Sequence, residues 1–222
     1  VEINTRLLSS RRVVTFDDSH PAIESYRLLR TQLLQRHERD KVNSFGITSP
    51  NPDEGKTLTS VNLAISLARS ADLRVILLDA DISNPSTHAL FGMRVEQGLI
   101  DYLGGTVPLD KLLVKLNIPN LWFVPGRIVR ESLMERTGMS GFEHLVELLT
   151  SDERNILIVD LPPVLAKDDT LALATRLDGL VMVVEEGATR TAEIDRAVDL
   201  LRRCNLLGTV FNKFSRKQQT YY

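Results

Sequence analysis

The stretch TSPNPDEGKTL, residues 48–58, sets a glycine, a lysine and a threonine side by side as Gly55-Lys56-Thr57. A residue that frees the backbone, an ammonium on a long stem and a hydroxyl are what a polyphosphate and its metal ion need. The strict spacing for such a loop puts a glycine five residues before Gly55, where this chain has Pro50. Pro50 and Pro52 donate no N–H, but they stiffen the loop and reduce the entropy lost on ordering it. The phosphate cradle therefore falls to the amides of Asp53, Glu54, Gly55, Lys56 and Thr57, with Leu58 opening the helix that follows. Lys56 is expected to reach the β- and γ-phosphates, and Thr57 to ligate Mg²⁺. Gly-Lys-Thr at a helix start is common in isolation, so its surroundings must decide.

A magnesium–nucleotide site needs carboxylates near that loop. VILLDADISNP places Asp79 and Asp81 at and just past the end of one apolar run, and ILIVDLPP ends another at Asp160. In an open parallel sheet the carboxyl ends of the strands line one edge, where ligands bind. Mg²⁺ takes one or two carboxylates plus water and phosphate oxygens, a set that Thr57, Asp81 and Asp160 can complete. Aspartates at strand ends often do no more than cap turns. Three of them beside Gly-Lys-Thr favour a nucleotide site.

The elements that must hold these residues are an alternation. Apolar runs rich in Val, Ile and Leu lie at 44–48, 75–79, 121–125, 156–160, 180–184 and 209–212, without the period-2 pattern of half-exposed strands. Helical patterns lie between them at 58–69, 141–149, 170–174 and 192–204. Such alternation predicts an α/β fold, a mostly parallel central sheet with helices on both faces. Residues 1–20 show no pattern and read as a tail or an edge arm, 21–214 as one catalytic domain, and 215–222 as a flexible tail bearing tyrosines. The balance of 27 basic against 29 acidic residues carries no basic stripe, so nucleic acid is not expected as a partner. A single cysteine, Cys204, precludes an internal disulfide, and the apolar runs are far shorter than the roughly 20 residues that span a bilayer. A cytoplasmic location is expected.

Glu54-Gly55-Lys56-Thr57, Asp79-Ala80-Asp81 and Asp160-Leu161-Pro162-Pro163 together resemble the bacterial tyrosine kinases of capsule and exopolysaccharide synthesis. These are P-loop ATPases related to partitioning ATPases, and GITSPNPDEGKT is similar to their version of the loop, which does without the first glycine. The resemblance implies an ATP- and Mg²⁺-dependent protein tyrosine autokinase that regulates polysaccharide polymerisation and export. It implies that Lys56, Asp79 and Asp81 are catalytic, with Asp79 taking the proton of an attacking tyrosine. Thr57, Asp81 and Asp160 would hold the metal, and Asn212, in VFNK, would approach the adenine. Glu24, Arg27 and Arg30, in ESYRLLR, match an E-x-x-R-x-x-R pattern of ring-shaped homo-oligomers. Tyr221 and Tyr222 would be phosphoacceptors, modified in trans. The implied partners are a membrane polysaccharide co-polymerase, acting through its cytosolic segment, and a cognate tyrosine phosphatase. The implied location is peripheral, at the inner face of the cell membrane.

The chain departs from the pattern at Ser83, where an arginine is usual, and in 130–141. Its tyrosine cluster has two members. Ser83 and that short cluster keep open a nucleotide-bound scaffold with little phosphotransfer. A partitioning-type ATPase on the same fold is the other alternative, although such proteins carry an additional early lysine that residues 49–54 lack.

Overall fold

The computed structural model describes residues 1–15, 19–69, 73–128 and 139–214. Seven strands form one sheet in the order β3-β4-β2-β5-β1-β6-β7. They are β1 (Ser44–Thr48), β2 (Arg74–Asp79), β3 (Val114–Lys115), β4 (Leu121–Val124), β5 (Asn155–Asp160), β6 (Gly179–Glu185) and β7 (Leu206–Asn212). Every pairing is parallel except β3 with β4. The two-residue edge strand β3 carries no sequence signal because it is too short for any periodicity. In β1 all five residues are buried, in keeping with its place between β5 and β6.

Helices cover both faces. On one lie α2 (Ile23–Asp40) and α3 (Lys56–Ala68), packed over Phe45, Ile47, Leu77 and Ile158. On the other, α7 (Met139–Thr150), α8 (Asp169–Ala174) and α9 (Thr191–Leu200) cover Leu78, Leu157, Val159 and Met182. Three short helices, α4 (Thr87–Leu90), α5 (Leu99–Leu103) and α6 (Leu109–Leu112), occupy the β2–β3 connection. Helix α3 is buried nearly all round, because α2 and the chain's first residues cover the side that the sheet does not. Among the described residues no helix is long and apolar enough to cross a membrane.

Residues 1–15 hold a helix, α1 (Thr5–Ser10), and bury Ile3, Leu8 and Val13 in the α3-side core. Their polar anchors explain why the sequence pattern is silent there. The Val1 backbone nitrogen donates to the Lys115 carbonyl at 2.8 Å, and the Ile3 N–H to Asn117 Oδ1 at 2.9 Å. Asn62, fully buried on α3, accepts from the amides of Val14 (2.8 Å) and Thr15 (3.3 Å) and donates to the Arg12 carbonyl at 3.4 Å. Arg69, just past α3, donates to the Thr15 carbonyl. Each contact joins groups dozens of residues apart.

Replacing Asn62 by Ala strands buried backbone amides of the N-terminal segment, a loss of about 2–3 kcal/mol. Urea unfolding of Asn62→Ala should show that deficit, and a midpoint equal to that of the parent would refute the anchoring role.

Candidate active site

The parallel register between β2 and β5 sets Asp79 directly beside Asp160. Both strands end there, so two carboxyl groups meet at the same level of the sheet, and both residues have no exposed surface. Beyond β2 the chain turns, and Asp81 follows, also buried. The end of β1 leads into the loop 49–55, and α3 starts at Lys56. Lys56 Nζ lies 2.8 Å from Asp81 Oδ2 and 3.6 Å from Asp160 Oδ1. The Thr57 hydroxyl donates to Asp160 Oδ2 at 2.6 Å, and Ser60, one turn further along α3, donates to Asp160 Oδ1 at 3.2 Å. The Thr87 N–H donates to Asp79 Oδ2 at 3.1 Å. Lys56, Thr57, Asp79, Asp81 and Asp160 are therefore gathered into one cluster at the N-terminus of α3.

Burial dominates the electrostatics. It drives the Asp79 carboxyl up to about 8, aided by the Asp160 charge and opposed by the Thr87 amide and Lys56. Asp160 is likewise raised by burial, against the pull of Lys56 and the Thr57 hydroxyl. For Lys56 burial works against the ammonium, but the charges of Asp160 and Asp81 outweigh it and hold the group above its ordinary value. Among the described residues no three His, Cys, Asp or Glu side chains form a cage for a metal ion. The oxygens of Thr57, Asp81 and Asp160 are the hard donors Mg²⁺ prefers, in the small number it takes when phosphate and water complete its shell.

A cleft of about 440 Å³ opens over this cluster, lined in part by Asp53, Gly55, Lys56, Thr57, Leu58 and Asp81. Asp79 and Asp160 are not on its wall, and Asp79 is bonded instead to the Thr87 amide. The loop itself bends twice through left-handed backbone, at Asp53 (φ 63°) and Gly55 (φ 95°). A Cβ on Gly55 would lie 1.9 Å from Asn212 Nδ2, so glycine is required there by contact as well as by conformation.

Two residues expected at the nucleotide brace the loop. The buried Glu54 carboxylate accepts from Thr189 Oγ1 at 2.6 Å and from the Asn51 backbone at 3.1 Å. Asn212 Nδ2 donates to the Glu54 carbonyl at 2.9 Å. Lys213 adds a further clamp, its Nζ 2.9 Å from the Asp53 carbonyl and 2.7 Å from Glu185 Oε2. Sequence reading singled out neither Thr189 nor the Lys213 clamp. Thr189 is 135 residues from its partner, and no local pattern marks such a pair.

Glu24 and Arg27 pair with each other at 2.7 Å on the exposed side of α2. Arg30 instead turns inward, donating to the Ser66 carbonyl of α3 at 3.2 Å. Tyr221, Tyr222 and residues 130–138 lie outside the described residues.

Comparison with known proteins gives the family and the fold. A family model headed ParA and described as the NUBPL iron-transfer P-loop NTPase matches residues 45–217. EpsB of Ralstonia nicotianae, provisionally named a tyrosine-protein kinase, is 32% identical over 207 residues, which are 92% of this chain and 27% of EpsB. CpsD of Streptococcus pneumoniae serotype 4, named a tyrosine-protein kinase, is 31% identical over 195 residues, 86% of this chain and 84% of CpsD. The solved kinase domain of the Escherichia coli tyrosine kinase ETK superposes with a TM-score of 0.83 at 28% identity, covering 95% of this chain and 83% of that domain. The chain spans about a quarter of the length of EpsB and most of CpsD.

The raised Asp79 carboxyl gives a signed pH dependence. Its proton is held more tightly in the folded chain than in the unfolded one, so its contribution is complete below pH ~4. That contribution is lost as pH rises towards about 8. Without nucleotide or divalent cation, the melting temperature should fall between pH 5 and pH 8.5, and Asp79→Asn should flatten the decline. An equal slope in the variant would show that Asp79 is not the titrating group.

Proposed function

The chain belongs to the P-loop NTPase family of bacterial tyrosine-protein kinases that includes EpsB and CpsD, and on that premise we propose that it is an ATP- and Mg²⁺-dependent tyrosine autokinase. The observation that carries this reading is Lys56, held 2.8 Å from Asp81 at the start of α3, on the wall of a cleft of about 440 Å³. Amides of residues 53–57 and the α3 N-terminus favour a polyphosphate, and Lys56 neutralises its β- and γ-oxygens. A magnesium ion on Thr57, Asp81 and Asp160 would supply the positive charge that offsets both the carboxylates and the phosphates.

In the transfer, a tyrosine oxygen forms a bond to the γ-phosphorus while the bond to the β,γ-bridging oxygen breaks, leaving ADP. The phenolic proton passes to a carboxylate, assigned to Asp79. Burial holds a proton on that group up to about 8, so it could act as the acceptor only once the charge of a bound magnesium ion had driven that proton off. The Thr87 amide, which donates to Asp79, must give way for the proton to arrive.

The reading extends to regulation of capsular or exopolysaccharide polymerisation and export at the inner face of the membrane. Tyr221 and Tyr222 are the acceptors, presented in trans within a homo-oligomer, and a cognate phosphatase reverses the modification. The exposed Glu24–Arg27 pair supports an intersubunit role for α2, while Arg30 acts within the subunit by fixing α2 to α3. The cytosolic segment of a membrane co-polymerase is the proposed activator.

Peptide mass spectrometry after incubation with Mg-ATP tests the proposal. Phosphate is expected on Tyr221 or Tyr222, reduced at least about 100-fold in Asp79→Asn, as removal of a general base predicts, and absent in Lys56→Ala. A wild-type chain that binds Mg-ATP but gains no phosphate, even with the activator segment added, would overturn it.

A further inference from the structure

The N-terminal segment brings a further cation, Arg11, to the cleft. Arg11 ends α1, its N–H bonded to the carbonyls of Leu7 (3.2 Å) and Leu8 (3.0 Å). The chain then reverses through Arg12, at φ 63°, and Val13 donates back to the Leu8 carbonyl at 3.0 Å. Residues 12–15 are in turn bonded to Asn62 and Arg69. Arg11 is thus placed by α3, the helix that carries Lys56 and Thr57 in its first turn.

Its side chain lines the same cleft as Lys56, Thr57, Asp81 and Ser83. Nη1 is shielded from solvent and has no hydrogen-bond partner among the described residues. A guanidinium nitrogen deprived of water and given no acceptor is costly, and it is rare unless an acceptor arrives from outside. Nor do the described residues pair Arg11 with any carboxylate. The contrast with Lys56 is direct, since its charge is already committed to Asp81 at 2.8 Å and Asp160 at 3.6 Å. Ser83, on the same wall, offers a hydroxyl but no charge. Lys167, also on the wall, is exposed and solvated. The planar fork of arginine matches phosphate oxygens two at a time.

We propose that Arg11 is a phosphate-binding residue, contributed to the nucleotide site by the N-terminal segment. This rests on the nucleotide reading above. Binding of the phosphate tail then tightens the docking of residues 1–15 onto α3, and by reciprocity that docking tightens the nucleotide.

Calorimetric titration of the whole chain with Mg-ADP and with a non-hydrolysable Mg-ATP analogue tests this, using Arg11→Gln, Arg11→Lys and Lys56→Ala. Loss of a charge-assisted contact to phosphate predicts at least about tenfold weaker binding in Arg11→Gln, partly restored in Arg11→Lys. Hydrogen exchange supplies the second readout. Nucleotide should slow exchange at the amides of residues 11–15 in the parent, but not in Arg11→Gln. Equal affinity in Arg11→Gln and parent, or equal protection of that segment, would overturn the proposal and leave the nucleotide site standing. A parent chain that binds neither nucleotide would instead defeat the site assignment itself. Should Arg11→Gln fail to fold, parent-like affinity in Arg11→Ala or absence of nucleotide-dependent protection in the parent would overturn the proposal.

Discussion

One ammonium and three carboxylates share a buried volume where strands β1, β2 and β5 end, and the surrounding architecture follows from making that tolerable. Charges removed from water are destabilising unless paired and hydrogen-bonded. Here Lys56 faces Asp81 and Asp160, Thr57 and Ser60 donate to Asp160, and the Thr87 amide donates to Asp79. The pairing is incomplete by charge count, since three acids meet one base. The carboxyl of Asp79 answers by holding its proton to about 8. A site built with excess negative charge behind a phosphate loop would suit the divalent cation proposed above, whose charge would complete the balance.

The loop that delivers Lys56 is held from outside rather than by its own glycines. Pro50 stands where flexibility is usual, and the backbone is carried instead by partners from distant segments. The amides of Val164 and Leu165 donate to the carbonyls of Ser49 and Pro50 at 2.8 and 3.1 Å, while Asn212 and Lys213 hold the carbonyls of Glu54 and Asp53. Glu54, expected to offer its amide to phosphate, spends both carboxylate oxygens on this bracing. A stiff, externally clamped loop presents its amides with little entropy left to lose, which favours binding.

The same economy appears on the outer side of α3. Asn62 and Arg69 turn an unpatterned leading segment into a layer of the core. A helix that positions the phosphate cradle at one end thereby fixes, along its length, the strap that carries Arg11 to the cleft.

Much of this was written locally. Runs of Val, Ile and Leu between helical periods dictate a parallel sheet, because only strands covered on both faces are apolar throughout. Gly-Lys-Thr after one such run, with Asp at the ends of two others, points to a candidate site, because parallel strands end on a common edge. Composition could not say that Asp79 and Asp160 share a register, that Arg30 turns inward, that Asn212 donates to the Glu54 carbonyl, or that the Glu54 carboxylate meets Thr189. Residues 1–15 show the limit best: their anchors are single polar groups bonded to Asn62, Arg69, Lys115 and Asn117. Periodicity records which face of an element is buried; it holds no record of which distant donor meets which acceptor, and that is settled only when the chain closes on itself.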